Sequence, residues 1–273
     1  MARGLSLQAE GFEGAVLADI DWSQPWFAPW RELGEPIATQ ALQQQSVAEA
    51  LNHYTHTAKR DANAVKFVPQ SALPENQAYE EFIFKTAQVP TRDGLHDFFN
   101  GLCWQRFPQA KRRLNQLQAA EIASQGIRPT RGPVRDALTL FDENVVLMHA
   151  PDVVWTALQA RDWLTLFVDL RGQWQHVHIV LFGHALLEKL VTPYKSITGH
   201  VYRVSNDINP HDDVALDAWL VQDLQPTKLA TKPYEPLPVL GVPSWWPANA
   251  ERAYYEDTQV FRPKREGVLK CHN

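Results

Sequence analysis

Cysteine is nearly missing from these 273 residues. Cys103 and Cys271 are the only two, too few for a disulfide framework or for a zinc site built on thiolates. A reducing, cytoplasmic setting is therefore expected. Long apolar runs are missing as well. The greasiest stretch, VHIVLFGHALLEKLV, is too short for a membrane span and carries His184, Glu188 and Lys189. The opening MARGLSLQAEGFEG has no apolar segment, so no signal peptide is expected. An excess of positive charge is also lacking. The formal net charge of −5 argues against a dedicated nucleic-acid binder, which usually carries a basic face. The cluster Lys111, Arg112 and Arg113 reads as the solvated face of a helix, being shorter than the basic blocks that mark nucleic-acid patches. Signature motifs are absent too: there is no G-x-S-x-G, no H-E-x-x-H, no P-loop and no Rossmann glycine pattern. No motif names a reaction.

Aromatic residues, by contrast, are plentiful. Ten tryptophans in a chain that is 45% hydrophobic predict a dense, ring-rich core. The pattern predicts one α+β domain, mostly helical, with a few short strands. Residues 1–44, dense in Trp and Pro, read as an irregular N-terminal segment. A helix is predicted over 46–60, opened by a capping box of Ser46 and Glu49. NAVKFVPQ and YEEFIFKTAQVPT read as short strands. From Leu95 the chain reads helical for about thirty residues, divided at Pro108. A helix with Pro133 in its first turn follows, and then NVVLMHAP as a strand or extended connection. Residues 152–171, 178–191 and 212–224 read as further helices, with a break at SITGH. Seven prolines between Pro226 and Pro263, beside Trp245, Trp246, Tyr254, Tyr255 and Phe261, predict an ordered arm over 226–273 that wraps the body.

A few polar residues fall where apolar ones are expected. On the helix from Leu95, at ~100° per residue, His96 lies inside the apolar arc and Asn100 at its edge. Asp97, Gly101 and Gln105 face the other way, so Asp97 is expected outside or at the helix start. On the predicted 178–191 helix, His184 and Glu188 lie four apart beside an apolar arc that includes Ile179 and Phe182. Gly183 falls among those apolar positions, where another backbone can approach. His96, His184 and Glu188 can form a metal site, for a divalent ion such as zinc, or an acid–base set that also involves Asn100. They can equally be buried groups that satisfy one another, since buried polar groups are nearly always hydrogen-bonded. Arg131 and Arg135 bracket the start of the helix from Pro133. They read either as holders of a small anionic substrate or as salt-bridge partners of Asp136, Asp142 or Glu143. His200 and His211 read as loop histidines.

Four segments together carry a family resemblance: HDFFNGLCWQRFPQAKRRLNQLQA, RGPVRDALTLFDEN, FGHALLEKLVTPYKSITGH and PLPVLGVPSWWPAN with VFRPKR after it. Over about residues 40–265 they resemble the bacterial family called domain of unknown function 3025. Ser244 stands where that pattern has glycine. The resemblance implies a single-domain bacterial protein and assigns no catalytic residue. Two functions stay open. One is a hydrolase with a buried His/Glu site, metal-assisted or not. The other is a non-catalytic binding or regulatory protein, with Trp245 and Trp246 as partner anchors and the polar cluster as a core network.

Overall fold

The computed structural model describes residues 13–57, 64–125 and 132–264. After two 3-10 turns, α1 (Ala28–Gln44) and α2 (Val47–Thr57) pack together. β1 (Lys66–Pro69), α3 (Tyr79–Thr86) and β2 (Gln88–Thr91) follow, and β1 pairs with β2 in parallel. Next come α4 (Leu95–Arg106), α5 (Pro108–Gln125), α6 (Pro133–Asn144), β3 (Val145–His149) and α7 (Asp152–Ala160). A π-helical turn and a 3-10 turn lead to β4 (His178–Leu181), α8 (His184–Lys189) and β5 (Thr198–Arg203). The chain closes with α9 (Asp213–Asp223), α10 (Pro226–Leu229), β6 (Glu235–Pro238) and further 3-10 turns. The second sheet has the order β4-β3-β5-β6. β3 runs parallel to β5 and antiparallel to β4, and β6 is antiparallel to β5. The fold is α+β and mostly helical.

β3 is central in that sheet, and Val145 through Met148 are all buried, as a strand covered on both faces requires. The predicted capping contact is present at the start of α2, where the Glu49 N–H donates to Ser46 Oγ at 3.3 Å. Pro108 and Pro133 begin α5 and α6, positions where a missing N–H costs nothing. Asp217 on α9 supplies the N-terminal cap of α5, accepting from the backbone N–H groups of Gln109 and Ala110 at 3.0 and 2.8 Å.

Several expectations are corrected. The described part of the N-terminal segment, residues 13–44, is not irregular. Residues 28–44 form α1, with Pro29 in its first turn and Pro36 inside it. Trp26, Phe27 and Trp30 are almost completely buried, and Trp30 Nε1 donates to Leu181 O at 3.1 Å. Residues 79–86 are helical, and only Gln88–Thr91 form a strand. The 178–191 stretch divides into β4 and α8. Ile179 pairs with Met148 in the sheet and does not share a helix face with Leu186. SITGH leads into β5 rather than breaking the chain. The wrapping arm includes a helical turn and β6, and Trp245 and Trp246 are half-buried against the core rather than exposed. α4 is buried on every side, so Asp97, Gly101 and Gln105 are interior positions. Lys111 is also buried, and does not sit on a solvated face. Among the described residues no helix is long and apolar enough to cross a membrane.

Candidate active site

α4, α6 and α8 meet around one polar cavity. Gly183 makes this meeting possible. A Cβ there would lie 2.5 Å from the Asn144 nitrogen and the Glu143 carbonyl oxygen, so only glycine lets the end of α6 come so close. The N–H groups of Phe182 and Gly183 both donate to Val145 O, which fixes the turn from β4 into α8. His184, the first residue of α8, is thereby placed against Asp142 near the end of α6.

His96 reaches this point from the first turn of α4. Its Nδ1 lies 2.8 Å from Glu188 Oε2, and its Nε2 lies 3.1 Å from His184 Nε2. The two rings meet edge to face, with centroids 4.5 Å apart. A hydrogen bond between two Nε2 atoms needs one nitrogen with a proton and one with a lone pair, so the pair shares a single proton. The His96 side chain is 38% exposed and that of His184 6%. Burial pulls the His184 pKa down to about 4, against the opposing pull of Asp142. His184 is therefore neutral at neutral pH, while His96 is the imidazole open to the cavity.

A second polar layer lies beneath. Despite its burial, the Asp142 carboxylate is held below the usual carboxylate range by Lys111 and His184. Lys111 Nζ donates to Asp142 Oδ1 and, at 2.8 Å, to Asn100 Oδ1. Asn100 Nδ2 donates to the Tyr79 hydroxyl at 3.1 Å, and burial pushes that hydroxyl well above the usual tyrosine range. A continuous chain of contacts thus runs from Glu188 through His96, His184, Asp142, Lys111 and Asn100 to Tyr79. Asp97 accepts from the Arg92 backbone N–H at 2.6 Å and from its guanidinium at 2.9 and 3.0 Å, which closes the turn before α4.

The cavity beside His96 has a volume of about 430 Å³. Arg135, Thr139, Asp142 and Glu143 supply the α6 wall. Glu80, Arg92 and Asp97 add further charge. Burial, reinforced by Asp142, pushes the Glu80 carboxyl up to about 7. Arg135 Nε is shielded from solvent and has no hydrogen-bond partner among the described residues.

Of the residues singled out in the sequence, His96, Asn100, His184 and Glu188 come together, and Arg135 lines the same cavity. Arg131 lies outside the described residues. Glu188 bonds the far nitrogen of His96, so it backs that ring instead of joining both imidazoles around one point. Among the described residues, no three His, Cys, Asp or Glu side chains are grouped to hold a metal ion. The sequence reading missed Asp142, Lys111, Tyr79 and Glu80. A signal for Asp142 was present in the spacing Arg135, Thr139, Asp142, which keeps three polar groups on one helical stripe.

No curated protein matches the chain, and neither does any solved structure. A family match covers residues 65–265, most of the chain, and the protein belongs to the family described as protein of unknown function (DUF3025).

Proposed function

We propose that the chain is a hydrolase that uses the His96–His184 pair for general acid–base catalysis on a small substrate bearing one anionic group. The observation that carries this reading is the 3.1 Å approach of the two Nε2 atoms at the wall of a 430 Å³ cavity. His96 Nε2, parted from His184 Nε2 by the incoming substrate, accepts a proton from an attacking water and returns it to the leaving group, while Glu188 holds Nδ1. Such catalysis is worth about 10²–10⁴ in rate. Arg135 offers its unpartnered Nε to the anionic group. Glu80, Asp97, Asp142 and Glu143 line the same cavity and disfavour a polyanion.

In a second form of the same reading, His96 and His184 would hold a divalent ion such as zinc, which would polarise a bound water. The Nδ1–Glu188 contact then serves as the outer carboxylate that orients a ligating histidine. We assign the protein to the bacterial cytoplasm, without membrane or nucleic-acid partners, in keeping with its few cysteines and its net charge of −5.

The non-catalytic alternative draws on one feature. Lys111, Asn100 and Tyr79 are fully partnered and could serve only to tie the core. Hydrolysis of p-nitrophenyl acetate and of the monoanionic mono-p-nitrophenyl succinate separates these readings, with metal content measured alongside. The hydrolase reading expects turnover that falls at least about 100-fold in His96→Ala. It also expects a raised KM in Arg135→Gln for the anionic ester alone. Turnover unchanged in His96→Ala sinks it. Stoichiometric metal that disappears in His184→Ala selects the metal form.

A further inference from the structure

A second cleft, of about 440 Å³, opens where α7, β5, β6 and the C-terminal arm meet. Among the described residues it shares no lining with the cavity beside His96. Its walls carry two guanidinium groups, Arg161 and Arg262, and no carboxylate among the described residues. Arg161 ends α7 in a left-handed conformation (φ 54°), with its N–H bonded to Ala157 O and Leu158 O. Its side-chain Nε is shielded from water and has no hydrogen-bond partner among the described residues. A shielded donor without a partner destabilises the fold, and a second positive charge on the same cleft adds to that.

The second arginine is held in place by the arm. Trp163 Nε1 donates to Arg262 O at 2.8 Å, and Arg262 Nε donates to Gln259 O at 3.0 Å, while its terminal nitrogens have no hydrogen-bond partner among the described residues. Ser196 adds a hydroxyl. Trp163, Pro236, Pro238 and Val260 supply apolar wall, and the two prolines bring no N–H of their own. Two cations, a hydroxyl and an apolar wall fit one chemistry: an oxyanion carried on a small organic body.

We propose that this cleft binds a phosphate or carboxylate group through Arg161 and Arg262, at a site separate from the His96–His184 cavity. The bound anion supplies the counter-charge that the lining lacks. Two arginines give bidentate recognition, and the Trp163–Arg262 tether makes the site depend on the arm being in place.

Isothermal titration of the full chain at low salt with inorganic phosphate, phenyl phosphate and benzoate tests this. The expected result is binding with a Kd of about 1 mM or tighter for at least one probe. Preference between phenyl phosphate and benzoate identifies the group, and a gain over inorganic phosphate reports the apolar wall. Arg161→Gln and Arg262→Gln should each weaken binding at least about tenfold. Neither should lower the melting temperature measured without anion, since each removes like-charge repulsion. The proposal is overturned if no probe binds. It is also overturned if binding survives in the Arg161→Gln/Arg262→Gln double variant, and loss in Arg135→Gln instead would place the anion in the first cavity.

Discussion

Glu188 Oε2 lies 2.8 Å from His96 Nδ1 and so aims the opposite nitrogen of that ring at His184. A carboxylate in this place fixes which nitrogen carries the proton. Glu188→Gln keeps an acceptor but removes the negative charge beside the ring. The expected outcome is a fall in kcat of about 10–100-fold with KM little changed. Both side chains are partly exposed, so stability should change by less than about 1 kcal/mol. Steady-state kinetics beside urea denaturation checks both parts.

Glu80 makes stability depend on pH. Unfolded, its carboxyl releases a proton near 4.5; folded, burial and Asp142 delay release to about 7. Between these values the native state binds more protons, so stability falls as pH rises, by about 3 kcal/mol in total. Above about 7 the loss is complete. Glu80→Gln can still accept the hydrogen bond that Asn115 Nδ2 makes to Glu80 Oε2 at 2.6 Å, and it removes the charge. Urea midpoints should then depend less on pH across this window, with the variant more stable than the parent at about pH 8. Equal pH slopes in the two proteins would refute this assignment.

Gly183→Ala tests how the cavity is assembled. Its methyl group would meet backbone atoms of Glu143 and Asn144 at 2.5 Å, and neither is the movable end of a side chain. A loss of about 2–4 kcal/mol is expected, as for other overpacked positions. Turnover should fall with it, because moving α8 away from α6 separates His184 from Asp142.

Ser244 has φ 70°, a left-handed conformation that disfavours a side chain. Glycine, the residue in the pattern that this stretch resembles, adopts that conformation freely. Ser244→Gly is expected to stabilise the fold by about 0.5–1 kcal/mol, after allowing for the greater freedom of glycine in the unfolded chain. A melting temperature one or two degrees higher in calorimetry would be about the right size.

Much of the helical framework was legible because proline and capping residues marked it. Ser46, Pro108 and Pro133 begin or precede helices where expected. His96, Asn100 and His184 stood out as polar side chains in greasy surroundings. What stayed hidden has physical causes. The stretch around Phe182 satisfies both the helical and the strand period, and a short apolar run cannot show which one wins. The decision comes from pairing with β3, a tertiary contact. α1 was masked by its own Trp and Pro content. Lys111 looked solvated because three adjacent basic residues say nothing about which of them faces Asp142. Asp142 itself looked ordinary until three helices closed over it.

Trp30 also bears on where this family's folding unit begins. The family match starts at residue 65, yet the Trp30 indole donates to a β4 carbonyl, and Trp26 and Phe27 are buried in the same core. Those rings belong to the part of the chain before the match. Sequence kinship and self-sufficiency therefore part company in this chain: the matched stretch, excised alone, would expose the floor on which β4 rests.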